Sequence, residues 1–205
     1  MTFISRRDLL KRTVGAAAAL PMARAIQIAR REPLENLGGA EFDTLEAIVA
    51  RLIPSDEHGP GAKEARAAVY IDRALGSALA SSRQAYAAGL AALDRYAQSS
   101  RGAAFAQLSP VDQDSVLIDL ETGAATGFTG SSAAFFNMVL NHTHQGTFGD
   151  PYYGGNANFV GWDLVGYPGV RTMVSASDQK QLEAGALKPN HKSAYEYEAF
   201  TKAQQ

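Results

Sequence analysis

From Phe42 to Thr143 apolar residues recur mainly at three- and four-residue spacing, and at Gly146 that rhythm stops. Such spacing puts one apolar stripe on each helix, and a stripe is buried only against another element, which commits this part of the chain to packing helix on helix. A first helix is expected near Glu41–Ile53, where Phe42, Leu45, Ile48, Val49 and Leu52 share a face and Pro54 ends the run. A second is expected over about Ala62–Ala80, after the turn cluster Ser55–Gly61, and a third over about Ser82–Gln98. Ser109-Pro110-x-Asp112 has the form of a helix start, with a serine N-cap, proline at the first helical position and an acid facing the helix dipole, and that helix is expected to reach Glu121. A fifth is expected over Ser132–His144, with Phe136, Val139, Leu140 and Thr143 on one stripe. The fold class is therefore mainly α: a small helical domain over residues 26–175, without internal repeats.

Residues 146–169 carry six glycines between Gly149 and Gly169, together with prolines and asparagines that break any regular period, yet Phe148, Tyr152, Tyr153, Phe159, Trp162 and Tyr167 crowd the same stretch. Long irregular segments inside compact domains are usually functional or are linkers, and linkers are polar. This segment is expected to be a long aromatic, Gly-rich irregular loop that packs on the helical core, forms a contact surface, or does both. Tyr152, Tyr153, Trp162 and Tyr167 are the candidate partner-binding anchors, since interface energy concentrates in aromatic side chains. Residues 176–205 form a polar, extended C-terminal tail, with a short helix expected at Asp178–Ala184 and Tyr195, Tyr197 and Phe200 near its end.

The first 25 residues have a separate purpose. Ser5-Arg6-Arg7-Asp8-Leu9-Leu10-Lys11 fits the twin-arginine (Tat) export pattern, followed by an alanine-rich run, Pro21, and Ala23-Arg24-Ala25 as small residues for a cleavage site. Arg6 and Arg7 are the export signal, and the expected destination is the periplasm. The apolar run falls well short of the roughly 20 residues of a membrane span. This leader holds five basic residues and one acid; removing them from the chain's 19 basic and 21 acidic residues leaves 14 and 20, a charge of −6 on the remainder. A mildly acidic body has no electrostatic reason to bind nucleic acid. With no cysteine among 205 residues, disulfides, thiolate metal sites, cysteine-ligated iron–sulfur clusters and covalent c-type haem are excluded.

No dinucleotide fingerprint follows a strand-like segment, and no nucleophile motif or phosphate-binding loop is present. The residue pattern thus assigns this chain no catalytic residue, no cofactor-binding residue and no metal ligand. Asp56-Glu57-His58 reads as a solvated turn. His142 and His144, two apart, point about 200° from each other on a helix, a poor chelate geometry. Two alternatives remain: a stand-alone periplasmic enzyme or metal site built on His142 and His144, and a periplasmic sugar-binding module whose aromatic rings stack on saccharides.

Three pieces together resemble the gluconate 2-dehydrogenase subunit 3 family: the leader Ser5–Lys11; the stretch Leu45–Leu75, with Leu52-Ile53-Pro54, Asp56, Pro60-Gly61-Ala62 and Tyr70-Ile71-Asp72; and Phe148–Gly169, with Asp150-Pro151-x-Tyr153-Gly154-Gly155-Asn156, Gly161-Trp162 and Gly166-Tyr167-Pro168-Gly169. The last is the specific one. The resemblance implies a small accessory subunit without a redox centre. Its partner would be a large FAD-dependent dehydrogenase of the glucose–methanol–choline type, often with a cytochrome carrying haem c as electron acceptor. It also implies a role in maturing the flavoprotein and in carrying it through the Tat channel on the small subunit's leader.

Overall fold

The computed structural model describes residues 33–201; the leader, Arg6, Arg7 and the expected cleavage site lie outside them. From Leu34 on, the described residues belong to one compact unit, built of α-helices joined by 3-10 turns with no strand among the described residues. The helices are α1 (Gly39–Leu52), α2 (Ala67–Ala74), α3 (Arg83–Arg101), α4 (Pro110–Glu121), α5 (Ser132–Phe148), α6 (Val160–Leu164), α7 (Ala176–Glu183) and α8 (Glu198–Thr201). The mainly α expectation holds.

Helix α5 packs on α1, α2, α3 and α4, and α1 in turn touches α2, α3 and α4, so these two helices form the axis of the bundle. Leu45, Ile48 and Val49 of α1 enter one core with Ile71, Tyr86, Leu90, Leu93, Val116, Leu120, Phe136 and Val139. The start of α4 is as expected: the Ser109 hydroxyl accepts the Asp112 N–H at 3.2 Å, with Pro110 at the first helical position.

Two boundaries differ from the sequence reading, for physical reasons. The second helix is only eight residues long. Residues 62–66 form a tight turn in which Arg66 takes a left-handed conformation (φ 62°), and Ala62, Ala65, Ala67 and Ala68 are all buried. Alanine favours a helix locally, but burial of four small residues against the bundle overrides that preference. The fifth helix runs four residues beyond His144, through Gly146. A Cβ on Gly146 would lie 2.9 Å from the Ala67 Cα and from the Tyr70 ring. Gly146 therefore serves close approach of α2 and α5 and does not break the helix.

The segment before α1 is tied down by one carboxylate. Buried Asp72 accepts the N–H groups of Glu35 (2.8 Å), Asn36 (2.9 Å) and Leu37 (2.7 Å). Its amide analogue would keep the oxygen that serves Asn36 and Leu37, whereas alanine would leave all three donors without their acceptor. Asp72→Ala is expected to cost about 3 kcal/mol in urea unfolding, and Asp72→Asn clearly less, because unsatisfied buried donors cost about 1–3 kcal/mol each.

Candidate functional site

The aromatic loop begins where α5 ends, and its path is set by Asn156. This side chain is fully buried. Its backbone N–H donates to the Gly146 carbonyl (2.7 Å), its Nδ2 donates to the Gly149 carbonyl (2.9 Å), and its Oδ1 accepts the Gly161 N–H (2.8 Å). The residue sits at φ 43°, in the left-handed region that asparagine tolerates better than most side chains. Gly161 is required by packing: a Cβ there would fall 1.8 Å from the Thr147 carbonyl oxygen. Asn158 and Phe159 are also left-handed, at φ 55° and 62°. An aromatic residue in that conformation is uncommon, and the surrounding fold holds it there.

The loop is consequently more ordered than an irregular segment. It contains a 3-10 turn at Pro151–Tyr153, a second at Ala157–Phe159, and α6. It is also pinned to the bundle away from α5, through the Ala157 N–H and the Ala65 carbonyl at 3.1 Å.

The four aromatic candidates do not share one role. Trp162 is only 5% exposed, and its Nε1 donates to the Phe148 carbonyl at 2.9 Å. Its ring meets Phe159 (centroids 5.3 Å apart) and Tyr167 (4.9 Å). It fills the loop's own interior and is not a surface anchor in this fold. Tyr152, Tyr153 and Tyr167 face outward, at 61%, 51% and 38% exposure. Beside Trp162 a hollow of about 340 Å³ opens, lined by Phe148, Asp150, Trp162, Val165, Tyr167 and Val170.

Sequence reasoning missed how closely the C-terminal tail is bound to this loop. The Asp150 carboxylate accepts the Tyr152 N–H (2.9 Å) within the loop, and the Ser193 hydroxyl (2.6 Å) and Ala194 N–H (2.8 Å) from the tail. Tyr195 stacks on Tyr152 at 3.9 Å, and its hydroxyl shares a hydrogen bond with that of Tyr153 at 2.5 Å. That bond, with burial and nearby charge, pushes Tyr153 up to about 12, so its phenol stays neutral through the physiological range. The signal for this docking was the Ser193-x-Tyr195-x-Tyr197 alternation, which is visible in the sequence but does not say what it faces.

The two histidines of interest are not brought together. His142 is buried and shares a hydrogen bond with the Tyr86 hydroxyl (3.0 Å), whereas His144 is exposed beside Phe148 on the same helix. Burial lowers the His142 pKa below 6.5 and raises that of Tyr86, which keeps both groups neutral. His58 lies in an exposed turn near Glu57. Among the described residues, no three or more His, Asp and Glu side chains are grouped to hold a metal ion. What the loop and tail do offer is stacking faces, phenolic hydroxyls and carboxylates, the chemistry of recognition.

The fold and site thus define a small helical bundle that presents a braced aromatic loop. The family model of gluconate 2-dehydrogenase subunit 3 matches residues 39–169, from the first residue of α1 to Gly169 at the end of the loop, and the chain belongs to that family. The family is one of accessory subunits of multi-subunit dehydrogenase complexes. No curated protein matches the chain, and no solved structure does.

Two outcomes follow for the site. Trp162→Ala is expected to destabilise the chain by about 3–5 kcal/mol, against about 1 kcal/mol for Tyr152→Ala, read from denaturant midpoints. Because the folded pKa of His142 lies below its unfolded value, the unfolded chain binds the proton more readily. The stability due to His142 is therefore complete above pH of about 6.5 and is lost as pH falls below it. Urea midpoints should decline between pH 7 and pH 5, and His142→Gln should remove part of that decline.

Proposed function

We propose that this chain is the non-catalytic small subunit of a periplasmic FAD-dependent dehydrogenase complex that oxidises a sugar, a sugar acid or a glucoside. In this reading it stabilises a large flavoprotein of the glucose–methanol–choline type and supplies the Tat signal for its export. The observation that carries the proposal is the family match across α1 to the end of the aromatic loop. Two features support it. The Arg6-Arg7 leader is of the twin-arginine type, a route for cargo that is already folded. The bundle exposes few large apolar side chains, Val111 and Ile118 among them, whereas the loop and tail expose Tyr152, Tyr153, Val165, Tyr167, Met173, Val174, Leu182 and Phe200. Exposed apolar and aromatic surface concentrated in one part of a chain is the usual mark of a contact with another protein.

Under this proposal the flavin, the hydride acceptor, belongs to the partner, and electrons leave it for an acceptor outside this chain, such as a c-type cytochrome. No residue of this chain is assigned to flavin, haem or metal. Among the described residues no helix is long and apolar enough to cross a membrane.

The test is the destination of the partner. With Arg6→Lys and Arg7→Lys together, dehydrogenase activity and flavin should move from the periplasmic to the cytoplasmic fraction, at least tenfold. A flavoprotein that still reaches the periplasm in full would end the carrier role.

A further inference from the structure

The tail between Asn190 and Tyr197 is organised as a ligand is. His191, Ser193, Tyr195 and Tyr197 each engage the loop or its C-terminal extension, with Ser193 buried, Tyr195 and Tyr197 half-buried and His191 exposed. His191 Nε2 lies 2.6 Å from an Asp163 carboxylate oxygen, and its ring stacks on Phe159, 5.0 Å away and 7° from parallel. Ser193 and the Ala194 N–H serve Asp150, and Tyr195 stacks on Tyr152. The Tyr197 hydroxyl donates to the Val170 carbonyl at 2.9 Å. Ser193 caps a 3-10 turn over Ala194–Glu196, and this turn presents a hydroxyl, a backbone N–H and an aromatic ring to the loop.

The contacts are polar and aromatic, and the tail adds no apolar side chain to the hydrophobic core. The receptor side, residues 150–163, lies within the family match, whereas the tail lies beyond its end at Gly169. The surface that belongs to the shared part of the chain is therefore covered here by a segment outside that part. The two carboxylates at its ends, Asp150 and Asp163, favour an occupant with a basic group.

We propose that residues 190–197 are an intramolecular stand-in for a segment of the dehydrogenase subunit. The strap yields its place to a partner peptide that presents a basic group, a hydroxyl and an aromatic ring on a turn of the same kind. This rests on the reading of the chain as an accessory subunit, and it assigns the loop's Asp150, Tyr152, Phe159 and Asp163 as the docking residues. A tethered ligand is always present at high effective concentration, so the surface is closed to weak or wrong partners and opens only to one that binds better. Tyr152 and Tyr153, covered in part by Tyr195 in the free chain, would be fully offered in the complex.

The experiment uses the full chain and a synthetic peptide of residues 188–198. Excess peptide should accelerate amide hydrogen exchange of the chain's own residues 190–197 at least tenfold while leaving 150–163 protected; a peptide of scrambled order should not. In a direct titration the full-length variant carrying His191→Ala and Tyr195→Ser should bind the labelled peptide at least tenfold more tightly than the unaltered chain. Equal binding by the two chains, or no effect of the peptide on exchange, would overturn the strap. Neither measurement contains a dehydrogenase, so their failure is distinct from failure of the proposed function. In the purified complex, residues 190–197 should exchange at least tenfold faster than in the free chain; unchanged protection there would show that the partner docks elsewhere.

Discussion

The close approach of α2 and α5 at Gly146 is the contact on which the rest is built. Because no side chain projects there, the last turns of α5 lie directly on Ala67 and Tyr70. The same residue's carbonyl accepts the Asn156 N–H at 2.7 Å, and a Cβ on Gly155 would fall 2.1 Å from that carbonyl oxygen. One helical turn therefore serves as core contact on one side and as the foundation of the loop on the other. A side chain at 146 would separate two helices and move the anchor of the loop in the same step. Close-packed interiors do not absorb such a shift gradually, so loop geometry is coupled to bundle packing.

That coupling also explains which parts of the fold were legible in the sequence. Helices α1, α3 and α4 could be read because their signals are local: an apolar stripe, a serine cap with proline behind it, a proline or glycine at the end. Gly146 was misread because glycine has the same letter whether it breaks a helix or lets another helix come close; only the position of Ala67 distinguishes them. The short α2 was misread because a run of alanines favours a helix, and the turn at Arg66 is enforced by burial that no local pattern reports. In the loop, aromatic composition pointed to a recognition surface but carried no direction. It could not separate Trp162, which faces inward with its indole nitrogen on the Phe148 carbonyl, from Tyr152, which faces outward. Asn156 could be read as part of a motif but not as the brace of the loop, since its three hydrogen bonds join residues that are neighbours only after folding.

The inward and outward residues divide the loop's work. Asn156, Gly161 and Trp162 fix the backbone, including the left-handed Asn158 and Phe159, and so determine where Tyr152, Tyr153 and Asp163 project. Rigid placement matters for recognition because ordering a flexible segment on binding costs about 0.5–1.5 kcal/mol for each immobilised side chain. A loop braced by the helical core has already met that cost during folding. The tail is held differently, by polar and aromatic contacts at the surface with no apolar side chain in the core.

This division suits the export route of the proposed function. A protein carried in folded form cannot form its contacts by unfolding and rewinding around its cargo; the contact surface must exist beforehand and survive transit. A pre-built loop on a helical bundle would meet that requirement, and a tail that, as proposed, occupies the surface until the cargo arrives would keep exposed tyrosines from associating with other copies or other proteins. The electrostatics agree with it. The first 25 residues hold five basic residues and one acid, while the remainder is acidic, and both Asp150 and Asp163 meet the tail. Under the proposed function, export and docking would therefore use separate charges on separate segments, and neither would constrain the sequence that the other requires.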